Sequence, residues 1–132
     1  MPWGYKMITL YGLKKCSTCV KACTWFETQK IAFQFIDYRD DPIEPDYLIA
    51  WSKQLGGWEK LVNRASMTWR NLSDTEKQQT QALDQGQNTN AIWLNLIARF
   101  PALIRRPLTV WEEGAVTVGF NEKKFLIELN KL

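Results

Sequence analysis

MITLYGLKKCSTCVKACTWFETQKIAFQFID, residues 7–37, changes its hydrophobic period twice. MITLY (7–11) alternates and is rich in β-formers, so it reads as a strand, and Gly12 ends it. From Ser17 to about Lys30 the positions Cys16, Cys19, Val20, Cys23 and Phe26 recur at helical spacing. IAFQFID (31–37) reads as a second strand, with Phe33 and Phe35 on one face. Strand, helix and strand in so short a span make a βαβ unit, which sets the two strands parallel.

Downstream the pattern is helical. Pro45 suits the first turn of a helix running to Gln54 or Leu55, and Gly56-Gly57 stops it. WEKLVNR (58–64) adds a short helix. SDTE (73–76) has capping-box spacing, with Ser73 as N-cap and Glu76 reaching back, and opens a polar stretch through Ala82. DQGQNTN (84–90) reads as a loop. NAIWLNLIARF (90–100) places Ile92, Leu96, Ile97 and Phe100 on one buried stripe, and Pro101 ends it. The period then returns to strands: PLTVW (107–111) and AVTVGF (115–120) joined by a short hairpin connection, EEG. A closing helix at 121–129 has Asn121 as N-cap.

The order is βαβ, a helical stretch, then ββα, within 132 residues. The expectation is one domain over 7–132 with a helical insertion at about 44–100. Residues 1–6, ahead of a second methionine at Met7, read as a disordered extension. The composition, 45% apolar and 23% charged with net charge +3, is that of an ordinary globular protein. So small a surplus gives no reason to expect direct nucleic-acid or membrane binding. No apolar run approaches the ~18 residues of a membrane-spanning helix. The first residues show no apolar core of a signal peptide, so a cytoplasmic protein is expected. Most of the seven tryptophans should be core residues. Trp51, Trp58, Trp69 and Trp93 are also candidate exposed anchors for a partner, although packing is the expectation for at least three.

The chemistry concentrates in KKCSTCVKAC (14–23), which holds all three cysteines. Histidine is absent, which removes Cys–His and Ser–His–Asp catalysis and every histidine-containing zinc signature. Three thiolates do not complete a tetrahedral structural zinc site, and no metal is expected. Cys16 falls at the loop-to-helix junction, where unsatisfied amides and the helix dipole favour a thiolate, with Lys14 and Lys15 adding positive charge. Cys19, one turn on, is placed to close on a mixed disulfide. Cys16 is therefore the candidate nucleophile and Cys19 the resolver. Cys23 reads as a small core hydrophobe. LIRRPLTV (103–110) puts Pro107 at the leading edge of a strand that pairs beside the first, which brings Arg106 near the thiol. There it can lower the thiol pKa or hold an anionic group.

Several motifs together resemble the ArsC/Spx family, thioredoxin-fold proteins that include arsenate reductases and the Spx transcriptional regulators. They are ITLYGLKKCSTCVKA, DYRDDPI (37–43), GWEKLVNRASMTWRNL (57–72), FPALIRRPLTV and VGFNEKKF (118–125). The likeness extends from Met7 to Leu132 and is strongest to the YffB-like branch, regarded as glutathione-dependent thiol reductases. It implies an α/β, thioredoxin-like fold: a four-stranded mixed sheet with the helical insertion between strands 2 and 3. It also implies a reactive Cys16 and an Arg106 that precedes a cis-proline, Pro107. Lys15, Ser17, Thr18, Arg64 and Pro107 complete the candidate site as substrate-binding residues.

The chain departs from the arsenate reductases in its arginines. One family arginine falls near Asn63 or Arg64, and the usual RRG after the asparagine is RAS (64–66). Another follows the fourth strand, where VGFNEKK has none. A tetrahedral dianion requires several charge-assisted donors, so arsenate binding should be weakened. The expected activity is that of a thiol–disulfide oxidoreductase acting on a small thiol, an oxyanion or a protein disulfide. It has no bound cofactor, and glutathione serves as co-substrate or glutaredoxin as electron donor. The alternatives are arsenate reductase proper and an Spx-like regulator that docks on RNA polymerase and is switched by a Cys16–Cys19 disulfide.

Overall fold

The computed structural model describes residues 7–81 and 87–131. The expected disordered extension, 1–6, lies outside them, as do Ala82 and the first half of the expected loop. The chain divides into two compact units: one joins the segment up to Pro42 to the segment from Arg106, and the other is Ile43–Arg105.

In the first unit, β1 (Ile8–Gly12), α1 (Ser17–Thr28) and β2 (Phe33–Asp37) form the βαβ unit, with β1 and β2 parallel. β3 (Leu108–Val110) pairs antiparallel with β1, and β4 (Val116–Val118) antiparallel with β3. The sheet order is β2-β1-β3-β4, the mixed four-stranded arrangement that the resemblance implied. A turn closed by Gly114 N–H donating to the Trp111 carbonyl (2.8 Å) joins β3 to β4. α7 (Glu122–Leu129) follows, and the side chain of its N-cap Asn121 accepts from the Lys124 amide. Ile8 and Leu10 of β1 pack with Ala22, Trp25, Phe26, Trp111 and Phe125 in one buried cluster. Its rings meet mostly edge to face, Trp111 and Phe125 at 4.9 Å and Trp25 and Phe125 at 5.5 Å. Such pairs each add about 0.5–1.5 kcal/mol beyond the area they bury.

The buried stripe of α1 is Cys19, Ala22, Trp25 and Phe26, and Val20, expected on it, is 52% exposed. One residue is a rotation of about 100° on a helix, enough to carry Val20 off the face that Cys19 and Phe26 share. The helix also ends at Thr28, before Lys30, which adopts a left-handed φ of 59°.

In the second unit, α2 (Pro45–Leu55) starts with proline in its first turn and ends on Gly56 at φ 102°, as the sequence indicates. α3 (Trp58–Leu61) is shorter than expected because Val62 leaves it to bridge Ile104. α4 (Met67–Arg70), unexpected from the sequence, is capped by Ser66, whose side chain accepts from the Trp69 amide. α5 (Asp74–Gln79) carries the capping box between Ser73 and Glu76.

α6 (Gln87–Arg99) starts inside the stretch read as a loop. Thr89 is buried and Asn90 Oδ1 accepts from Trp58 Nε1 (2.8 Å), so polar residues at this helix start answer buried partners. Its deepest residues are Trp93, Leu96 and Ile97, with Ile92 and Phe100 only half-buried. Trp58 and Trp69 each stack on Trp93, at 6.2 and 5.8 Å, and Trp51 lies under Tyr47. All four candidate anchors are thus core residues of this unit. No helix among the described residues is long and apolar enough to cross a membrane.

Candidate active site

Strand directions bring the site together. β1 and β2 are parallel, so the segments leaving Gly12 and Asp37 emerge at the same end of the sheet. β3 runs the other way beside β1, with Leu108 opposite Tyr11, so Arg106 and Pro107 enter at that end too. Ligands of open α/β sheets bind outside the carboxyl ends of parallel strands for this reason.

One carboxylate ties two of these segments. Asp37 accepts from the Lys14 amide through Oδ2 and from the Arg39 amide through Oδ1, both at 2.9 Å. These bonds, the Lys14 one foremost, hold the Asp37 carboxyl below its ordinary range. The Tyr38 amide donates to the Gly12 carbonyl (3.1 Å), and Lys14 Nζ meets Asp40 at 3.0 Å.

Cys16 is the N-cap of α1, with extended backbone (φ −82°, ψ 121°). Its amide donates to Leu13 (3.1 Å) and its carbonyl accepts from Val20 (3.0 Å), which fixes the sulfur over the open first turn. No close capping bond forms, but the Sγ lies within electrostatic reach of the turn's amides. Partial burial works to raise its pKa. The Cys19 amide, the Arg106 guanidinium, the Cys19 thiol and the Thr18 amide outweigh that and leave it lowered. Neither lysine expected to assist is among the leading influences on it, and the Lys14 ammonium is engaged by Asp40.

Cys19 is buried, at 1% exposure, and its thiol is pushed up to about 12 by burial, and by the neighbouring Cys16 against a lowering from the Leu13 backbone. Gly12 makes room for it: a Cβ at residue 12 would collide with Cys19 Sγ. Cys23 is half-buried at the edge of the core cluster, less enclosed than expected, and burial raises its pKa, helped by Glu27. All three cysteines are free thiols.

Arg106 hydrogen-bonds Tyr38 and Cys16 through its guanidinium, and Tyr38 is 1% exposed. Burial pushes the Tyr38 hydroxyl up to about 12, so it stays a neutral acceptor for the guanidinium. The Arg106–Pro107 peptide bond is cis, and the buried Pro107 accepts from the Gly119 amide through its carbonyl (2.8 Å). Leu13, Lys14, Lys15, Cys16, Asp37, Arg39, Asp40 and Arg106 line an open cleft of about 440 Å³.

Cys16, Cys19, Arg106, Lys15, Thr18 and Pro107 therefore share one end of one unit, with the exposed Ser17 at the first position of α1. Arg64 lies in the other unit, exposed in the turn after α3, and its role rests on the resemblance alone. Sequence reasoning missed Tyr38, Asp37 and Arg39. The signal was present: in a βαβ unit, the residues just after the second strand lie beside those just after the first.

The comparisons agree with this architecture. A 119-residue stretch is 40% identical to an uncharacterized Haemophilus influenzae protein, covering 90% of this chain and 96% of that one. The global transcriptional regulator Spx of Streptococcus mutans is 26% identical over 117 residues, covering 88% of this chain and 78% of Spx. The solved structure of a protein named YffB superimposes with a TM-score of 0.76 at 30% identity, over 93% of this chain and 99% of that one. The pattern that defines the ArsC family matches residues 11–127, and with a thioredoxin-like sheet presenting Cys16 at a helix start, the chain belongs to that family.

Proposed function

We propose that the protein is a cytoplasmic thiol–disulfide oxidoreductase in which Cys16 is the nucleophile and Cys19 the resolving thiol. One observation carries the reading: two thiols a single helical turn apart sit in surroundings that shift them in opposite directions, Cys16 at the open helix start beside Arg106 toward a lower pKa and the buried Cys19 toward a higher one.

The Cys16 thiolate attacks one sulfur of a substrate disulfide. A Cys16–substrate bond forms, the substrate S–S bond breaks, and the leaving sulfur departs as a thiolate that takes up a proton. Attack removes the Cys16 charge, one of the influences that raise the Cys19 pKa. Cys19 then loses its proton and attacks Cys16 Sγ, which expels the second substrate thiolate. The substrate gains two electrons and the protein becomes a Cys16–Cys19 disulfide. Two glutathione thiols, or a dithiol glutaredoxin, return it to the reduced state and are themselves oxidised. Arg106 stabilises the attacking thiolate, while Lys15, Ser17 and Thr18 border the incoming group.

Mass spectrometry of protein equilibrated with oxidised glutathione tests the sequence of steps. The expected product is an internal disulfide, two hydrogens lighter, and Cys19→Ser should instead accumulate a Cys16–glutathione adduct. An unmodified Cys16 in both proteins would refute the mechanism.

A second reading, an Spx-like switch in which the same disulfide alters docking on RNA polymerase, is favoured by the likeness to Spx over 88% of the chain. Co-purification with the polymerase α subunit in one redox state only would select it. Arsenate-dependent turnover with glutathione and glutaredoxin would select arsenate reduction instead.

A further inference from the structure

The cleft beside Cys16 holds more positive charge than the thiol uses. Asp40 is engaged by Lys14 Nζ, and both oxygens of Asp37 accept backbone amides. Arg106 is turned to Tyr38 and Cys16. The side chains of Lys15 and Arg39, both exposed and both lining the cleft, make no ion pair among the described residues. The amide of Arg39 donates to Asp37 Oδ1, which sets its backbone at the cleft wall. A cleft of about 440 Å³ has room for a small peptide-sized group, and it opens on Cys16.

We propose that Arg39, with Lys15, is a specificity-determining subsite that selects disulfides carrying carboxylates on the half bonded to Cys16. The proposal rests on Cys16 being the nucleophile and adds what that nucleophile prefers. A guanidinium grips a carboxylate through paired N–H donors, which gives orientation as well as attraction. Both cations are solvent-exposed, so the preference arises in encounter and binding and is screened by salt.

Single-turnover kinetics provide the test. Reduced protein is mixed with glutathione disulfide (anionic), bis(2-hydroxyethyl) disulfide (neutral) or cystamine (cationic), and the loss of free Cys16 is followed by quenched alkylation. Each disulfide is its own oxidant, since the protein dithiol becomes a disulfide as the probe becomes two thiols. Arg39→Ala should slow glutathione disulfide about fivefold, the scale of one exposed charge pair. It should leave the neutral probe unchanged and speed cystamine. Arg39→Glu should enlarge each effect, Arg39→Lys should restore much of the loss, and added salt should shrink all of them. Equal change on all three probes, or none on glutathione disulfide, would overturn the subsite while leaving the nucleophile intact. A wild-type Cys16 inert to every probe would bring down both.

Discussion

The first turn of α1 and the turns that follow it carry the same side chain in different surroundings. At Cys16 the backbone amides have no helical acceptor, a guanidinium is at hand, and part of the sulfur faces a cleft. At Cys19 and Cys23 the sulfurs are packed instead against β1 or the edge of the core. One thiol is lowered and two are raised along a single helix. The direction of the pKa shift therefore follows position in the helix rather than the CxxC spelling: the motif supplies two sulfurs, and the helix start makes their surroundings unequal.

The sharpest way to break that contrast is to exchange the chemistry at its two ends. Cys16→Ser should reduce disulfide turnover to background. Cys23→Ala should keep it, at a stability cost of about 1 kcal/mol for a partly buried sulfur, read from urea denaturation. Comparable loss of turnover from both, with both proteins folded, would reassign the resolver.

Next in size is the alkaline side. The Cys19 pKa stands at about 12 in the folded protein against 9.0 for an ordinary cysteine. The folded state therefore holds this proton more tightly than the unfolded chain does. The stability this gives is complete below pH 9 and is lost as pH rises toward 12. Cys19→Ala should flatten the decline of stability over that window relative to wild type. An unchanged slope would place Cys19 in a more hydrated setting. Tyr38 titrates in the same range and direction, so the comparison is between variants and not with a flat line.

The smallest effect belongs to Tyr38. It touches Arg106, which touches Cys16, so it is a positioning residue. Tyr38→Phe should move the midpoint of Cys16 alkylation upward in pH while leaving Cys23 alkylation where it was. A merely structural role would loosen both thiols alike, and the midpoints would then move together.

These contrasts also mark what the sequence made legible. Helix starts were readable because their signals are local: Pro45 in the first turn of α2, Ser73 with Glu76 at α5, and Asn121 at α7 all lie within four residues of what they cap. Ser66 gave a signal of the same kind for α4, but a four-residue helix leaves no periodicity to support it. The early start of α6 was hidden because Asn90 answers Trp58, which lies 32 residues away. Cys16, Cys19 and Arg106 were legible from a helix start, a spacing and a strand order. Tyr38 was not, because a tyrosine after a strand carries no mark of the arginine it will meet. Only the parallel pairing of β1 and β2, followed by the antiparallel entry of β3, puts the two together. Val20 shows the limit of counting by threes and fours, since a helix facing a sheet buries a stripe narrower than the pattern suggested.

The sheet order has a last consequence, in time rather than space. β3 lies inside the sheet, between β1 and β4, yet it is encoded after the whole helical unit. A ribosome delivers Cys16 well before Arg106, with the whole helical unit between them. Until β3 pairs with β1, the Cys16 sulfur lacks the guanidinium that helps to lower its pKa. The nascent chain thus carries Cys16 for most of that interval without its arginine, and the last strands to pair supply it.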